Sequence, residues 1–478
     1  MNRRRFIKSS FVGAAAMSLS ARSWSQVSGA NEDIRIAVVG FNGRGKDHIQ
    51  GFQKTKGARL VALCDVDSDV LEGEAKALEG KGLKIERYTD IRKLLESKDI
   101  DAISIATPNH WHSLMAIWAV QAGKDVYVEK PVSHNVSEGR RVVQAARKYN
   151  RIVQTGTQSR SNPGLREAVA YLHNGSLGKI KLARGLCYKR RASIGKVSGP
   201  QQPPASVDYD LWCGPAPKEP LMRAKLHYDW HWVWPTGCGD LGNQGIHQMD
   251  IARWALGENE LSPRVFSLGG RFGYIDDGTT PNTQLIFHDY KKAPLIFEVR
   301  GLPTHKGQDK EMDNYKGASI GVIVDCEHGH MVIPSYDSAT VFDNDWKEIK
   351  RFKGGASHYD NFIKGVRSRK PSDLNADILE GHLSSGLCHT GNISYRLGSQ
   401  ESPESIREKI KGDKEAQESF ERFCTHLDAN GVDLNASKPI FGASLKMNPK
   451  KETFRNNSAA NTFLTREYRK PFVVPEKV

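Results

Sequence analysis

The sequence predicts an α/β protein in two parts: a parallel sheet covered by helices on both faces, then an α+β domain built on a largely antiparallel sheet. Three observations predict this. Short apolar runs alternate with amphipathic segments in the first third of the chain. Longer strand-like runs with alternating character follow in the second part. The chain has 478 residues, which is enough for two to three domains with cores of their own.

The first 25 residues have the composition of an export signal. Residues 3–8 read Arg-Arg-Arg-Phe-Ile-Lys, a mild apolar run covers 11–19, and the Ser-Trp-Ser at 23–25 would serve as the cleavage site. Paired arginines before x-Phe-Ile-Lys fit the twin-arginine type. The apolar run is about half of the roughly 20 residues that span a bilayer, so a retained anchor is the less favoured alternative. We therefore expect a signal peptide over 1–25, the twin-arginine export machinery as a partner, and a periplasmic protein without a permanent membrane anchor.

Residues 32–157 are predicted to form the first domain. Short apolar runs each end at a turn signal; they cover 34–39, 60–64, 102–106, 126–128 and 152–154. Amphipathic segments lie between them, for example over 114–122 and 137–149. Short buried strands that alternate with helices indicate a parallel sheet with both faces covered.

Residues 158–400 are predicted to form the second domain, and 401–478 a polar C-terminal extension. A helix pattern over 163–174 comes first, and helix patterns return at 359–369 and 377–396. The strand-like runs between them cover 178–183, 264–269, 283–288, 295–301, 320–326, 331–334 and 339–342. The extension is expected to hold a helix over 403–427 and extended segments that wrap the body.

Charge and cysteine content exclude several classes of protein. The formal net charge is +14, but no long block of Lys and Arg stands out, which favours a solvated basic surface over a nucleic-acid site. Seven scattered cysteines without a CxxC pair argue against a disulfide framework. The paired histidines at 227/231 and 328/330 have no third ligand at a recognisable spacing, so we predict no metal site.

A glycine-rich turn follows the first predicted strand, and it reads Gly40-Phe41-Asn42-Gly43-Arg44-Gly45. The dinucleotide fingerprint places glycine first, third and sixth, for the tight turn, for approach of the pyrophosphate and for helix–strand packing. Asn42 occupies the third place, a departure, with Gly43 beside it. The amides at the start of the next helix would bind the pyrophosphate. The alternative is an ordinary strand–helix turn without a ligand.

The acid that follows the second predicted strand, Asp65, supports a dinucleotide site. It lies 20 residues beyond Gly45, where the ribose-binding carboxylate is expected. A carboxylate there accepts hydrogen bonds from the ribose hydroxyls and repels a 2′-phosphate. The sequence therefore favours NAD, and the nearby Arg44 keeps NADP as an alternative.

Two further stretches contain residues suited to catalysis. The first reads Gly-Lys-Asp-Val-Tyr-Val-Glu-Lys-Pro over 123–131, and the second reads Asn-Gln-Gly-Ile-His-Gln-Met-Asp over 243–250. With these motifs, the chain resembles the glucose–fructose oxidoreductase / inositol dehydrogenase (Gfo/Idh/MocA) family over about 33–400. The resemblance implies a Rossmann domain, then an open-faced sheet, with the dinucleotide in the cleft between them.

The resemblance also implies the catalytic residues. It assigns Lys130 to the substrate hydroxyl and the nicotinamide ribose, and His247 to proton transfer. Asn243 stands where the family usually has an aspartate, and because an amide cannot ionise it can only orient and hydrogen-bond. Asp250 would hold the His247 ring, or instead pair with Arg253 along its helix. Elementary chemistry asks for the same groups, since carbinol oxidation needs a neutral base and a cation beside the developing alkoxide.

The predicted binding residues fall into two sets. The cofactor set is Gly40, Asn42, Gly43, Arg44, Gly45, Asp65, Thr107, Asn109, His112, Glu129 and Lys130. The substrate set is Tyr188, Trp230, His231 and Trp232, with residues 189–191 and Gln158 as further candidates. Tryptophan recurs at every second place over 230–234, so an extended run would put three indoles on one face for a sugar. Core packing or an interface is the equally weighted alternative.

These patterns predict an exported NAD(P)-dependent oxidoreductase that transfers hydride between a nicotinamide cofactor and a sugar or glycoside hydroxyl. Outside the cytosol there is no free dinucleotide pool, so the cofactor is expected to be tightly bound. One alternative is a glycoside-cleaving hydrolase or lyase that uses bound NAD transiently through a keto-sugar. Another is a non-catalytic cofactor-binding or sugar-sensing protein. An open-faced sheet would expose apolar surface, which predicts a homodimer or homotetramer.

Overall fold

The computed structural model describes residues 32–478, so the predicted signal peptide lies outside the described residues. The helices are α1 Arg44–Lys54, α2 Ser68–Glu79, α3 Ile91–Glu96, α4 Asn109–Gln121, α5 Val136–Lys148, α6 Pro163–His173, α7 Tyr209–Cys213, α8 Gly239–Asn243, α9 Gly245–Leu256, α10 His358–Ser368, α11 Ile378–Arg396, α12 Pro403–Lys409, α13 Lys414–Ala429 and α14 Ser458–Thr462. The strands are β1 Ile34–Val39, β2 Ala58–Cys64, β3 Glu86–Tyr88, β4 Ala102–Ile105, β5 Asp125–Val128, β6 Val153–Thr155, β7 Ile180–Tyr188, β8 Arg264–Gly270, β9 Thr283–His288, β10 Leu295–Arg300, β11 Ile320–Cys326, β12 His330–Ile333, β13 Ser338–Phe342, β14 Glu348–Lys353, β15 Ser399–Gln400, β16 Ile440–Phe441, β17 Leu445–Asn448 and β18 Thr453–Phe454.

The first sheet has six strands in the order β3-β2-β1-β4-β5-β6, and every neighbouring pair is parallel. This confirms the predicted Rossmann-like domain. The direction of chain progression reverses between β1 and β4. In sheets of this kind, ligands bind beyond the carboxyl ends of the strands at that reversal.

The second sheet has twelve strands and is antiparallel except between β7 and β10, which confirms the largely antiparallel prediction. One face packs against α9 and α11 in the main hydrophobic core, with Met249 and Leu387 from the helices against Phe297 and Val322 from the strands. Helix α9 therefore lies between the sheet and the first domain, and it carries His247 to the domain boundary.

The opposite face of the second sheet is covered in part by the C-terminal extension. Ile406 of α12 and Phe420 and Phe423 of α13 pack against sheet residues such as Leu268 and Phe287. Each buried phenylalanine contributes about 1.5–3 kcal/mol of hydrophobic stabilisation. The extension is thus not merely polar, because its helices each bury an apolar stripe. The exposed apolar face that suggested a homo-oligomer is reduced accordingly, and the oligomer stays a prediction.

The end of the chain returns to the first domain as a C-terminal strap, defined here as residues 464–474. The Leu464 carbonyl accepts from the amide of Ser137 at 2.8 Å, and the Tyr468 hydroxyl donates to Glu138 at 3.0 Å. Phe472 is buried, with its ring 5.3 Å from that of Trp111. The strap therefore ties the extension to α4 and α5.

Over residues 32–478, none of the helices has the length and apolar character to cross a membrane. The same residues contain no cluster of three or more His, Cys, Asp or Glu side chains arranged to hold a metal ion. All seven cysteines are free thiols.

Candidate active site

A cleft of about 330 Å³ opens beyond the carboxyl ends of the strands of the first sheet, at the reversal between β1 and β4. Ten of the eleven predicted cofactor residues line it: Gly40, Asn42, Gly43, Arg44, Asp65, Thr107, Asn109, His112, Glu129 and Lys130. The eleventh, Gly45, lies behind the turn, where an added Cβ would come within 2.1 Å of the Gly40 carbonyl oxygen. The sequence thus identified residues from four separate segments that meet in one cavity.

The glycine turn is shaped for close approach of a ligand. Gly40 has φ +76°, and a Cβ there would meet the backbone of Thr107 at 2.8 Å. Gly43 precedes α1, and a Cβ there would meet nothing within 4 Å. No side chain caps α1, so its first amides are available to an anionic group. This turn fits the pyrophosphate of a dinucleotide. Gly43 supplies the open backbone that the fingerprint expects from a glycine at the third place, where this chain has Asn42.

Asp65 is fixed at the end of β2 by two backbone amides. One of its carboxylate oxygens accepts from Phe41 and the other from Asp67, each at 3.0 Å. Burial raises the pKa of Asp65, and these two amides oppose the shift. Each oxygen retains a lone pair for a ribose hydroxyl, which fits the predicted role.

Glu129 is a buried carboxylate that holds three groups. It accepts from Arg44 and from His48 at 3.0 Å each, and from the backbone amide of Lys130 at 3.0 Å. Burial would raise the pKa of Glu129, but the His48 hydrogen bond and the Arg44 charge hold it well below its usual range. Glu129 therefore stays ionised and positions Lys130. Sequence reasoning missed this role of His48, although its place in the helix after the glycine turn was visible.

Lys130 and Asn243 are joined through the backbone. The Lys130 ammonium donates to the Asn243 carbonyl oxygen at 2.8 Å, so the main chain of Asn243, not its side chain, orients the lysine. Burial lowers the pKa of Lys130, and the Glu129 charge opposes this. The Asn243 amide donates at 3.4 Å to Asp240, which in turn is paired with Arg191 at 2.7 Å. Asp240 is thus the carboxylate beside Asn243, and it was not predicted from the sequence.

His247 is 6% exposed, and its ring lies 5.1 Å from that of Tyr336. Its Nδ1 atom is buried without a hydrogen-bond partner. Burial lowers the pKa of His247 well below its usual range, and the Lys130 charge adds to the effect. The ring is therefore neutral, as a general base must be.

The predicted contact between Asp250 and His247 is wrong. Asp250 accepts from Arg160 at 2.8 Å and from the Ser384 hydroxyl at 2.7 Å, and Arg253 lies 3.7 Å away. The two residues are three places apart on α9, but their side chains point to different neighbours. Asp250 anchors α9 to α11, and the alternative pairing with Arg253 is the closer description.

Two of the predicted substrate residues are also wrong. Tyr188 is buried, and its hydroxyl donates to Glu298 at 2.6 Å on the face covered by α13. The tryptophan run is not extended, because Asp229–Trp232 is a 3₁₀ helix that follows Tyr228 at φ +66°. Trp230 and His231 line the cleft, whereas Trp232 is buried with the Arg191 guanidinium over its ring.

Lys189, directly after β7, is linked to the surroundings of His247 through Gln244 and Tyr336. The Lys189 ammonium donates to the Gln244 side-chain oxygen at 2.9 Å. The Gln244 amide donates to the hydroxyl of Tyr336, which is 38% exposed. Lys189 lies on the opposite side of the chain from Tyr188, as the alternation of a strand requires. Sequence reasoning had no signal for Tyr336, which lies in a turn between strands.

His112 and Asn109 line the cleft without reaching far into it. The two ring nitrogens of His112 lie 2.6 Å from the Pro131 carbonyl and 2.7 Å from the Thr107 carbonyl. Asn109 donates to the Cys238 sulfur at 3.5 Å. Gln158, a further candidate, lies beside Arg44. His112 braces the segment that follows Lys130.

A long connection, the roof segment (residues 193–238), closes the cleft from above. The amide of Ser68 donates to the Ser206 carbonyl at 2.9 Å, and that of Asp208 donates to the Val66 carbonyl at 3.0 Å. The Trp111 indole donates to the Leu211 carbonyl at 2.9 Å. The roof segment is thus attached to the end of β2 and to α4, on either side of the cofactor cleft.

Comparison with known proteins agrees with this geometry. Residues 34–157 match the model of the NAD-binding Rossmann domain of the Gfo/Idh/MocA oxidoreductase family, and residues 177–279 match its C-terminal α/β domain. An inositol 2-dehydrogenase of Klebsiella pneumoniae (strain 342) is 29% identical over 71% of this chain and 88% of that protein. A glycosyl hydrolase family 109 protein 2 of Shewanella sp. (strain ANA-3) is 33% identical over 29% of this chain and 35% of that protein. Where the identity to a curated relative is higher, the match covers only about half or less of that relative's own length.

The solved structures show the same fold. The WlbA dehydrogenase from Bordetella pertussis, in complex with NADH and UDP-GlcNAcA, superposes with a TM-score of 0.54 at 20% identity, covering 74% of this chain and 94% of that one. Residues 34–157 thus form an NAD-binding Rossmann domain, and the cleft described above lies at the carboxyl ends of its strands. With both domain models matched in order, the chain belongs to the Gfo/Idh/MocA family of NAD-binding oxidoreductases.

Proposed function

We propose that this protein is an exported oxidoreductase that transfers hydride between a tightly bound NAD and a hydroxyl of a sugar or glycoside. The observation that carries the proposal is a pair of groups: the Lys130 ammonium lines the cofactor cleft, and the neutral His247 ring lies near enough for the Lys130 charge to lower its pKa further. The relatives that are named for inositol and for glycosides favour a polyhydroxylated substrate.

The side chains suit carbinol oxidation. NAD, when bound, supplies the hydride acceptor. Neutral His247 takes the proton from the reacting hydroxyl. The Lys130 ammonium, held by the Asn243 carbonyl at 2.8 Å, stabilises the developing alkoxide. Glu129 fixes the Lys130 backbone and so keeps the ammonium in place.

Tight binding of the cofactor is supported by the two segments that enclose the cleft. The roof segment supplies Leu211, Trp212 and Trp230 to the cleft lining. The C-terminal strap holds the roof in turn, because Arg469 donates to the Gly214 carbonyl at 3.0 Å and pairs with Asp210 at 2.9 Å. Cofactor release requires both segments to move.

Redox-assisted glycoside cleavage is the second candidate, and the likeness to the family 109 protein favours it. Oxidation of one ring hydroxyl to a ketone acidifies the neighbouring C–H bond. A proton then leaves that carbon, the aglycone leaves the next carbon as an alcohol, and a C=C bond forms between the two. In a hydrolase water adds across this bond, and in a lyase the bond remains. The hydride then returns to the ketone, so no net oxidation occurs. The same Lys130 and His247 serve both reactions.

The two candidates differ in what accumulates. The purified mature protein is mixed with a panel of glycosides while the near-ultraviolet absorbance of reduced nicotinamide and the release of aglycone are followed. Persistent reduced cofactor with a keto-sugar supports the dehydrogenase, and aglycone without net reduction supports cleavage. Lys130→Met and His247→Gln are expected to lower either rate by about 10²–10³-fold. Unchanged turnover in both variants would refute both candidates.

Export has its own test. We expect Arg3→Lys combined with Arg4→Lys to leave the full-length chain in the cytosol, because the twin-arginine route requires the arginine pair. Fractionation of cells that express the two forms measures this. If the variant still reaches the periplasm, the proposed route is wrong.

A further inference from the structure

The charges around Lys130 do not balance. Two buried acids lie nearby, and each already has a cationic partner: Glu129 has Arg44 at 3.0 Å, and Asp240 has Arg191 at 2.7 Å. Within residues 32–478, neither Lys130 nor Lys189 has a carboxylate within ion-pair distance. The proposed catalytic role explains why the Lys130 charge has no carboxylate partner. It does not explain why the Lys189 charge has none.

Lys189 belongs to the same constellation as the catalytic pair. Its ammonium donates to the side-chain oxygen of Gln244, the residue next to Asn243, whose carbonyl accepts from Lys130. Gln244 is buried and also donates to Tyr336, whose ring lies against His247. Lys189 is therefore linked to Lys130 through Gln244 and the Asn243 backbone, and to His247 through Gln244 and Tyr336. Within residues 32–478, the only hydrogen-bond partner of its ammonium is a neutral amide.

Resting on the proposed function, we propose that the substrate carries an anionic group, a carboxylate or a phosphate, and that Lys189 binds it. Hydrogen bonds between an ammonium and an anion are about twice as strong as those between neutral groups. A neutral amide oxygen satisfies one of the three ammonium donors and none of the charge. Tyr336, partly exposed beside His247, offers a ring face for the sugar between the anionic group and the reacting hydroxyl. The substrate class is thus an acidic sugar or glycoside.

The test compares matched substrates with the holoenzyme. Each pair has the same ring and aglycone, with a hydroxymethyl group in one member and a carboxylate in the other, and a third member carries a phosphate. We expect the wild type to prefer an anionic member by about 10- to 100-fold in kcat/KM. The carboxylate and phosphate arms identify which anion is bound. We expect KM for the preferred member to rise with ionic strength and KM for the neutral member to stay constant.

Variants test the assignment to Lys189. Lys189→Met is expected to raise KM for the anionic member by about 10- to 100-fold, and Lys189→Arg to keep the preference. In Lys189→Met, KM for the neutral member should rise far less than KM for the anionic member. Lys181→Met is the matched control, because Lys181 is an exposed lysine near the other end of β7, about 26 Å away at roughly 3.3 Å per residue.

Each outcome of these experiments either supports or overturns the inference. Equal turnover of neutral and anionic members, or equal losses for both in Lys189→Met, would overturn the inference while leaving the proposed function standing. Absence of turnover with every pair would overturn the proposed function and the inference together. Loss confined to the anionic member in Lys189→Met, with Lys181→Met unchanged, supports the assignment.

Discussion

The protonation state of His247 is set by its surroundings. A free histidine is half protonated near pH 6.5. Burial and the neighbouring Lys130 charge lower the pKa of His247 well below that value. The base therefore stays neutral at pH values where an exposed histidine would be protonated and inactive.

This environment predicts the pH dependence of oxidation. Because only the neutral ring accepts a proton, kcat/KM should stay level as the pH falls to about 6.5 and decline only below it. Lys130→Met removes a cation, so the pKa of His247 should rise and the acid limb should move to higher pH. The measurement is kcat/KM against pH for both proteins. An unmoved limb would contradict the electrostatic coupling.

The glycine turn offers a matched pair of variants. At Gly40, with φ +76° and Thr107 at 2.8 Å, alanine should lower the free energy of unfolding by about 1–3 kcal/mol. At Gly43 a Cβ meets no protein atom within 4 Å, so alanine should leave stability unchanged and weaken cofactor retention. Urea unfolding and the amount of co-purified NAD distinguish the two. Full retention of NAD in Gly43→Ala would show that the pyrophosphate does not approach this residue.

At the scale of the element, the position of α9 is fixed by contacts on its side away from the cleft. Its proposed catalytic residue, His247, faces Tyr336, while Asp250 binds Arg160 and Ser384. Arg160 and Asp250 are both buried, so their pairing fixes the rotation of the helix.

Asp250→Asn should therefore act on stability more than on chemistry. Removing one partner of a buried ion pair leaves an uncompensated charge and costs about 3–5 kcal/mol. We expect a lower urea midpoint with an unchanged pH profile of kcat/KM, since Asp250 does not contact His247. The exposed Glu260→Gln serves as the control. A shifted pH profile would instead assign Asp250 to the proton pathway.

At the scale of the whole molecule, the roof segment and the C-terminal strap meet beside the cofactor cleft. The roof segment covers the cleft, and the C-terminal strap crosses from α14 to hold it. Phe472 packs against Trp111, which itself lines the cleft, and Arg469 binds the roof at Asp210. The extension thus connects the far face of the second sheet to the rim of the NAD site.

Loosening the strap should release the cofactor. Phe472→Ala removes a buried ring and costs about 3–5 kcal/mol of local packing. We expect NAD to be lost during gel filtration, while circular dichroism stays unchanged. The neighbouring Val473→Ala is the control, because Val473 is 41% exposed. Equal retention of NAD in both variants would show that the strap does not enclose the cofactor.

Local patterns allowed much of this protein to be predicted. Strand runs in the first domain are short and buried on both sides, so apolar residues alone mark them, and the turns that follow place Gly40, Asp65, Thr107 and Glu129 at one edge of the sheet. The predicted helix over 403–427 became two, broken at Ile410–Asp413. The apolar residues of this segment are evident in the sequence, but the sheet face that they cover is not.

The sequence by itself determined the NAD-binding architecture, because that depends on residue type and on spacing along single elements. The pair Lys130 and His247 was predicted through motifs that resemble those of the family, and its catalytic role stays a proposal. Only the tertiary structure decided that Asn243 acts through its carbonyl, that Asp250 turns away from His247, and that the tryptophan run is helical. The physical reason is that a side chain's direction, and the partner it finds there, are fixed by packing between segments far apart in the chain. Local periodicity does not encode those contacts.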